Sequence, residues 1–332
     1  MKGKGILALA IVSILVVAGL VSAFVLWNSA ESEMELTITY SNKVDYEPFI
    51  VAEELGYFEE EDLNVTTLVV SGGIQSAEAI MTGAADVGAM GDAPATQLLD
   101  KNTDAMIVCR YSGGEGMHRY IAQEDILTPK DLEGKKVGIQ MGSSTHGSFM
   151  QWADANGISM SDVTLVPMNP ADMPSAMETG QIDAMAGSEP WPTNVEKVCG
   201  EKVHEIGTSK DLGNTFPMLM MASGKAVDEK PEAIKAAVRA IERAVDYINL
   251  NYEESAAICA NHTGLTMQEQ MRCMDSLFFE VGFDQSDLES LNQTAGFLLE
   301  NDKISAIPDF SGRLVTDEGM HLDQVRLART EE

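Results

Sequence analysis

Between Val137 and His146 the chain reads V-G-I-Q-M-G-S-S-T-H: a short apolar strand pattern, Gly142, then Ser143, Ser144 and Thr145. Phe149 and Trp152 continue at helical spacing, so the three hydroxyl residues stand at a helix start. The first turn of a helix leaves backbone N–H groups without intrahelical acceptors and carries the positive end of the helix dipole. Free amides, hydroxyls and that dipole together suit a small oxyanion. The plain alternative is an ordinary N-cap, which draws on the same residue types. His146 either donates to the same anion or caps a neighbouring helix.

A second set of chemical groups comes in two matching runs. Thr82-Gly83-Ala84-Ala85-Asp86 parallels Thr179-Gly180-Gln181-Ile182-Asp183, and at the same offset Asp92 falls opposite Glu189, each close to a proline, Pro94 or Pro190. Two carboxylates aimed at one crevice repel a bare anion but suit a ligand that also bears an ammonium group, a zwitterion such as taurine. Alternatively both accept backbone N–H bonds within their own turns. Arg110 and Arg119 are candidate counter-cations, or ordinary ion-pair residues. His118, in G-M-H-R, either touches ligand or belongs to a chain crossing.

The elements that must position these groups alternate. Strand patterns at Glu35 to Tyr40, Val65 to Val70 and Asp86 to Met90 are separated by helical patterns at Pro48 to Phe58 and Ile74 to Thr82. A further run has strands near Lys136 to Ile139, Thr164 to Pro167, Ile182 to Met185 and Val203 to Ile206. This predicts α/β lobes with mostly parallel sheets, whose strand ends face a shared crevice. From Asp228 the chain turns helical: Ile234, Val238, Ile241, Val245 and Ile248 form an apolar stripe, and helices follow at Tyr252 to Asn261, Thr266 to Phe279 and Asp287 to Glu300. Met218-Leu219-Met220-Met221 reads as a buried strand. Crossings near Tyr111 to Ala122 and Asn214 to Ala222 divide the chain into lobe 1 (35–116 and 217–332) and lobe 2 (117–216).

Composition sets the context. The chain has 332 residues, 45% of them hydrophobic, and a formal net charge of -30, which opposes binding to nucleic acid or an anionic membrane surface. An anion site on so acidic a protein must rely on local dipoles and a few buried cations. Lys2 and Lys4 precede an apolar run from Ile6 to Trp27, long enough for a membrane-spanning helix, so residues 1–30 are a signal peptide or a membrane anchor with the remainder outside. Cys259 and Cys273 are the favoured disulfide in that oxidising compartment, and Cys109 a buried thiol. No cysteine or histidine spacing suggests a metal, and no cofactor is expected.

Taken in order, Pro48 to Phe58, Gly72-Gly73, Gly83-x-x-Asp86, Gly91-Asp92-x-Pro94, Pro129-x-Asp131-Leu132-x-Gly134-Lys135, Gly142-Ser143-Ser144-Thr145-His146, Gly180-x-x-Asp183 and Glu189-Pro190-Trp191 resemble the solute-binding proteins of ABC importers for sulfonates, taurine and nitrate. The resemblance covers roughly residues 35 to 310. It implies a two-lobed periplasmic binding protein of type 2, with two hinge crossovers, that closes on its ligand. It implies ligand contacts from Tyr40, Ser41 and Asn42, from Gly72, Gly73 and Gln75, from Asp92, Ala93 and Pro94, and from Ser143, Ser144, Thr145 and His146, with Trp191 as a pocket wall. Its partners are then a small anionic or zwitterionic solute and the permease and ATPase subunits. The competing readings are a nitrate or pyrimidine-precursor binder and a pyrimidine-synthase-like enzyme on the same fold. The enzyme's clustered cysteines are missing here, and a hydrolase lacks its Gly-x-Ser-x-Gly turn.

Overall fold

The computed structural model describes residues 34–101, 104–210 and 212–315. The apolar run Ile6 to Trp27, read above as anchor or signal, lies outside them. The strands in chain order are β1 (Met34–Tyr40), β2 (Leu63–Val69), β3 (Val87–Gly91), β4 (Met106–Gly113), β5 (His118–Gln123), β6 (Lys136–Ile139), β7 (Thr164–Pro167), β8 (Ala184–Ser188), β9 (Val203–Thr208), β10 (Met218–Ala222) and β11 (Phe278–Gly282). They make two sheets, one of six strands in the order β11-β4-β10-β3-β1-β2, the other of five in the order β7-β6-β8-β5-β9.

The sheets are mixed, where the sequence predicts mostly parallel ones. β1 runs parallel to β3, and β6 runs parallel to both β7 and β8. The strands that carry the chain between sheets are antiparallel to their neighbours: β4 and β10 in the first sheet, β5 in the second. The reason is connectivity. A parallel neighbour needs a helical crossover, whereas a strand that leaves one sheet directly for the other returns in the opposite sense.

Leu36 and Ile38 of β1 and Val87 of β3 are buried, and Met90 of β3 packs with Leu291, Ala295 and Leu298 of the helix Gln285–Glu300 in one core. Each large apolar side chain so buried contributes about 1.5–3 kcal/mol. The second sheet has its own core, in which Tyr120, Phe149 and Trp152 stack with centroids 4.7–5.9 Å apart. The apolar stripe of the helix Pro231–Leu250 is buried from Ile234 to Ile248, and Met218 to Met221 is a fully buried strand.

Two further expectations change. The helix expected from Thr266 to Phe279 closes at Met274, and Phe278 and Phe279 pair instead with Gly113 and Ser112 to form the edge strand β11. A capping box, Thr266 with Glu269, fixes the helix start, but the aromatic pair finds more burial at the sheet edge than a longer helix offers. The disulfide also fails: Cys109, Cys199, Cys259 and Cys273 are all free and buried. Cys273 Sγ lies 3.6 Å from Thr193 Oγ1, and the Cys259 thiol sits beside the Glu47 carboxyl.

The internal repeat is a structural device. Gly83 and Gly180 adopt φ of 72° and 68° as they end their helices, a conformation that favours glycine. Asp86 Oδ2 then accepts the Thr37 N–H at 2.9 Å and Asp183 Oδ2 accepts the Lys136 N–H at 2.8 Å, each pinning the adjacent parallel strand.

Candidate functional site

The carboxyl ends of β1, β3, β6 and β8 point at the space between the sheets, the place where open α/β sheets bind ligands. The residues just past them line a cavity of about 30 Å³: Lys43 after β1, Gly91 closing β3, Gln140 after β6 and Ser188 closing β8. At about 10–15 Å³ per water molecule, this holds two or three waters, so the two sheets stand nearly shut. His118 and Met218, the first residues of β5 and β10, pair across the ladders with Ser188 and Gly91 and complete the wall.

Three helices start at this cavity. They are Gly73–Thr82, Asp92–Asp100 and Ser144–Ala155, and Gly73, Pro94, Ser143, Ser144 and Thr145 line the wall. Gly142, at φ 82°, makes the turn out of β6. Ser143 is the N-cap: its Oγ accepts the His146 N–H at 3.2 Å and donates to the Gln140 carbonyl at 2.7 Å. The Ser144 and Thr145 N–H groups are first-turn donors without intrahelical acceptors. Thr145 Oγ1 is bonded to His118 Nδ1 at 3.1 Å. Ser144 reaches across the gap to the first sheet, where its Oγ accepts the Ala93 N–H at 3.4 Å and meets the Asp92 carboxyl. A side chain on Gly91 would collide with Ser144 Oγ, so glycine there is what lets the sheets close.

Sequence reasoning missed the cation. Lys43 Nζ donates to Ser188 Oγ at 2.8 Å, linking the two sheets, lies 3.4 Å from Asp45 Oδ2 and sits 5.3 Å over the Tyr46 ring. Burial pushes the His118 imidazole down to about 3, with Lys43 adding to the effect, so it is neutral at ordinary pH and Lys43 carries the positive charge. Tyr46 turns its hydroxyl to the Gly73 backbone. The available signal was the Lys43-x-Asp45-Tyr46 cluster directly after β1, a position equivalent to the serine run after β6.

Of the residues singled out from sequence, Gly73, Pro94, His118, Ser143, Ser144 and Thr145 come together around the cavity. The others stand elsewhere. Ser41 is buried and Asn42 half-buried in the turn before Lys43, and Gln75 pairs with Ser71 at 2.9 Å. Asp92 lies behind Ser144, accepting from Ala93 N–H at 2.8 Å and Thr294 Oγ1 at 2.5 Å, with burial raising its carboxyl above the usual range. His146 turns back, its Nδ1 accepting the Gly142 N–H at 3.2 Å, and burial lowers it to about 4. Glu189 receives Arg119 Nη1 at 2.7 Å and the Thr193 N–H at 3.2 Å. Trp191 packs on the second sheet's core. Arg110 is held by Glu280, Asp284 and Asp287 within the first sheet's layer, and Arg119 by Glu189, Glu196 and Glu205.

A wider cavity of about 570 Å³, lined by Arg119, Glu189, Glu196, Arg272 and Ser276 among others, lies on the same seam. A narrow one joins the two, sharing Asp45 and Ser188 with the inner cavity and Glu189, Cys273 and Ser276 with the outer. Among the described residues, no cluster of three His, Cys, Asp or Glu is placed to hold a metal ion.

This architecture has counterparts. It superposes on the alkanesulfonate-binding protein SsuA from Xanthomonas axonopodis pv. citri bound to MOPS with a TM-score of 0.76, at 19% identity, over 85% of this chain and 98% of that one. That likeness shows the fold, a two-lobed periplasmic binding protein. In sequence, a putative binding protein of Brucella abortus (strain 2308) is 32% identical over 212 residues, 63% of this chain and 65% of that protein's length. A putative aliphatic sulfonates-binding protein of Escherichia coli (strain K12) is 29% identical over 196 residues, 58% of this chain and 60% of its own. The family model of NMT1-like proteins matches residues 29–262, more than half of the chain, and the protein belongs to the NMT1-like family.

Proposed function

We propose that this protein is the extracytoplasmic solute-binding subunit of an ABC importer, capturing a small organic oxyanion of the sulfonate kind between its two sheets. One observation carries the reading: the carboxyl ends of four parallel strands, two from each sheet, converge with three helix starts and the Lys43 ammonium on one enclosed cavity. Each helix start contributes a partial positive charge and N–H donors, and the narrowness of the cavity leaves room for only a few screening waters. The relatives described above, a putative binding protein and a putative aliphatic sulfonates-binding protein, point the same way.

Opening would occur at the two crossings, between β4 and β5 and between β9 and β10, by parting contacts such as Lys43 with Ser188 and Gln97 Nε2 with the Gly142 carbonyl at 2.7 Å. The permease and ATPase would receive the closed form, with the N-terminal segment holding the protein at the membrane. Binding without chemical change is the expected outcome.

Calorimetry on the detergent-solubilised full chain tests this, with ethanesulfonate, taurine, sulfate, nitrate and hydroxymethylpyrimidine as titrants. Saturable heat with a sulfonate, and its recovery unaltered by NMR, is the expected result. No heat with either sulfonate removes the ligand class. Heat with nitrate or the pyrimidine alone would reassign it.

A further inference from the structure

Asp45 contributes a buried carboxyl to a cavity otherwise furnished for negative charge; burial raises it above the usual carboxylate range, and Lys43 opposes that shift. Its side chain is 6% exposed, and it lines both the inner cavity and the narrow passage leading out of it. Oδ2 faces Lys43 Nζ at 3.4 Å, while Oδ1 has no hydrogen-bond partner among the described residues. Leaving a carboxylate oxygen buried and unpaired is unfavourable, and the natural remedy is a donor brought by the guest. An oxyanion alone would make matters worse, because its charge would lie beside that oxygen. Of the nearby polar groups, Lys43 is shared with Ser188, and His118 is engaged through Nδ1 with Thr145 while its Nε2 has no hydrogen-bond partner among the described residues.

We infer that Asp45 makes this site selective for a zwitterion, a guest whose cationic nitrogen meets Asp45 Oδ1 while its oxyanion meets Lys43 and the Ser144 helix start. The inference rests on the cavity being the solute site proposed above. It transfers the amine-recognition role from Asp92 and Glu189, which are occupied by Thr294, Ala93 and Arg119, to an acid on the cavity wall. Taurine and ethanesulfonate differ in the required way, since both carry a two-carbon sulfonate and only the first has an ammonium group.

The test is a competition of these two ligands on the full chain by calorimetry, then on Asp45→Asn. Wild type should bind taurine about tenfold or more tightly than ethanesulfonate, the range expected of a charge-assisted hydrogen bond. Asp45→Asn should bring the ratio close to one, with taurine weakened and ethanesulfonate, whose anion no longer lies beside a carboxylate, bound more tightly. Equal binding of the two by wild type, or a ratio that survives Asp45→Asn, overturns the inference alone. A wild-type preference for ethanesulfonate does so too, and would mark Asp45 as a protonated donor to the anion. Binding of neither overturns the solute-site reading and this inference with it. The wild-type comparison decides without the variant should Asp45→Asn fold poorly, and homotaurine against propanesulfonate repeats it one carbon longer.

Discussion

Asp86 and Asp183 do the same job in the two sheets, each clamping the N–H of the neighbouring parallel strand, yet six residues further on Asp92 and Glu189 have parted ways. Asp92 is satisfied by hydroxyls and amides, with Thr294 and Ser144 supplying the donors and no cation at hand. Glu189 is one of three carboxylates gathered by a single guanidinium, Arg119. Two turns of similar sequence therefore rest on different physics, hydrogen bonding in one and charge in the other. The difference follows from what each turn faces. Asp92 is 1% exposed between the first sheet's helices and the Ser144 helix, where a charge pair would be costly to desolvate. Glu189 borders the wide outer cavity, where a cation can stay partly hydrated.

Removing the guanidinium should break this contrast most visibly. Arg119→Met leaves Glu189 buried without its partner, and unfolding stability in urea should fall by about 3 kcal/mol, the lower end for a buried pair because Glu196 and Glu205 are partly exposed. An effect below ~1 kcal/mol would mean the turn is held by Thr193 N–H and packing alone. Lys43→Met should leave both acid turns standing and instead weaken sulfonate binding by about 2–3 kcal/mol in calorimetry, since it removes the ammonium at the cavity. Asp92→Asn should lower stability by about 1 kcal/mol, because an amide loses one acceptor toward Thr294 and Ser144 but keeps the shape. A loss as large as that of Arg119→Met would show that Asp92 is held by charge after all.

A pH dependence also separates the two halves. Glu47, buried behind the first sheet, is pushed by burial from 4.5 to about 7, so it binds its proton more tightly folded than unfolded. Its contribution is complete below pH ~4.5 and is lost as the pH rises through about 7. His146, on the second sheet's helix, is lowered from 6.5 to about 4, so its neutral form favours the folded state and stability is lost as the pH falls from about 6.5 through about 4. Urea midpoints across pH 4 to 8.5 should therefore flatten on the alkaline side in Glu47→Gln and on the acid side in His146→Asn. If either variant leaves its limb unchanged, that group is not the source.

Much of the architecture was legible because it depends on local rules. The runs read as strands became β1, β6, β7 and β9, the glycines after Thr82 and Thr179 ended their helices, and Ser143 capped the helix that its position announces. The serine run reached the cavity for the same reason, since a residue at a first turn has little freedom in where it points. Phe278 and Phe279 were misread because helix and strand share their preference for apolar residues, and the empty edge of β4 decided between them. Cys109 is the buried thiol expected, but the Cys259–Cys273 pairing was misread because spacing in sequence does not determine which side chains meet.

What the sequence alone determined was the alternation of elements, the paired turns and the acidic character of the chain, all of which follow from backbone propensity and composition. Tertiary structure decided which charges face one another. Lys43 and Asp45 lie far from Ser188 in sequence, and only the apposition of β1 against β8 brings an ammonium, a carboxylate and a hydroxyl to one small space. Electrostatic fate depends on such long-range neighbours and on the water they exclude, neither of which is written in local pattern.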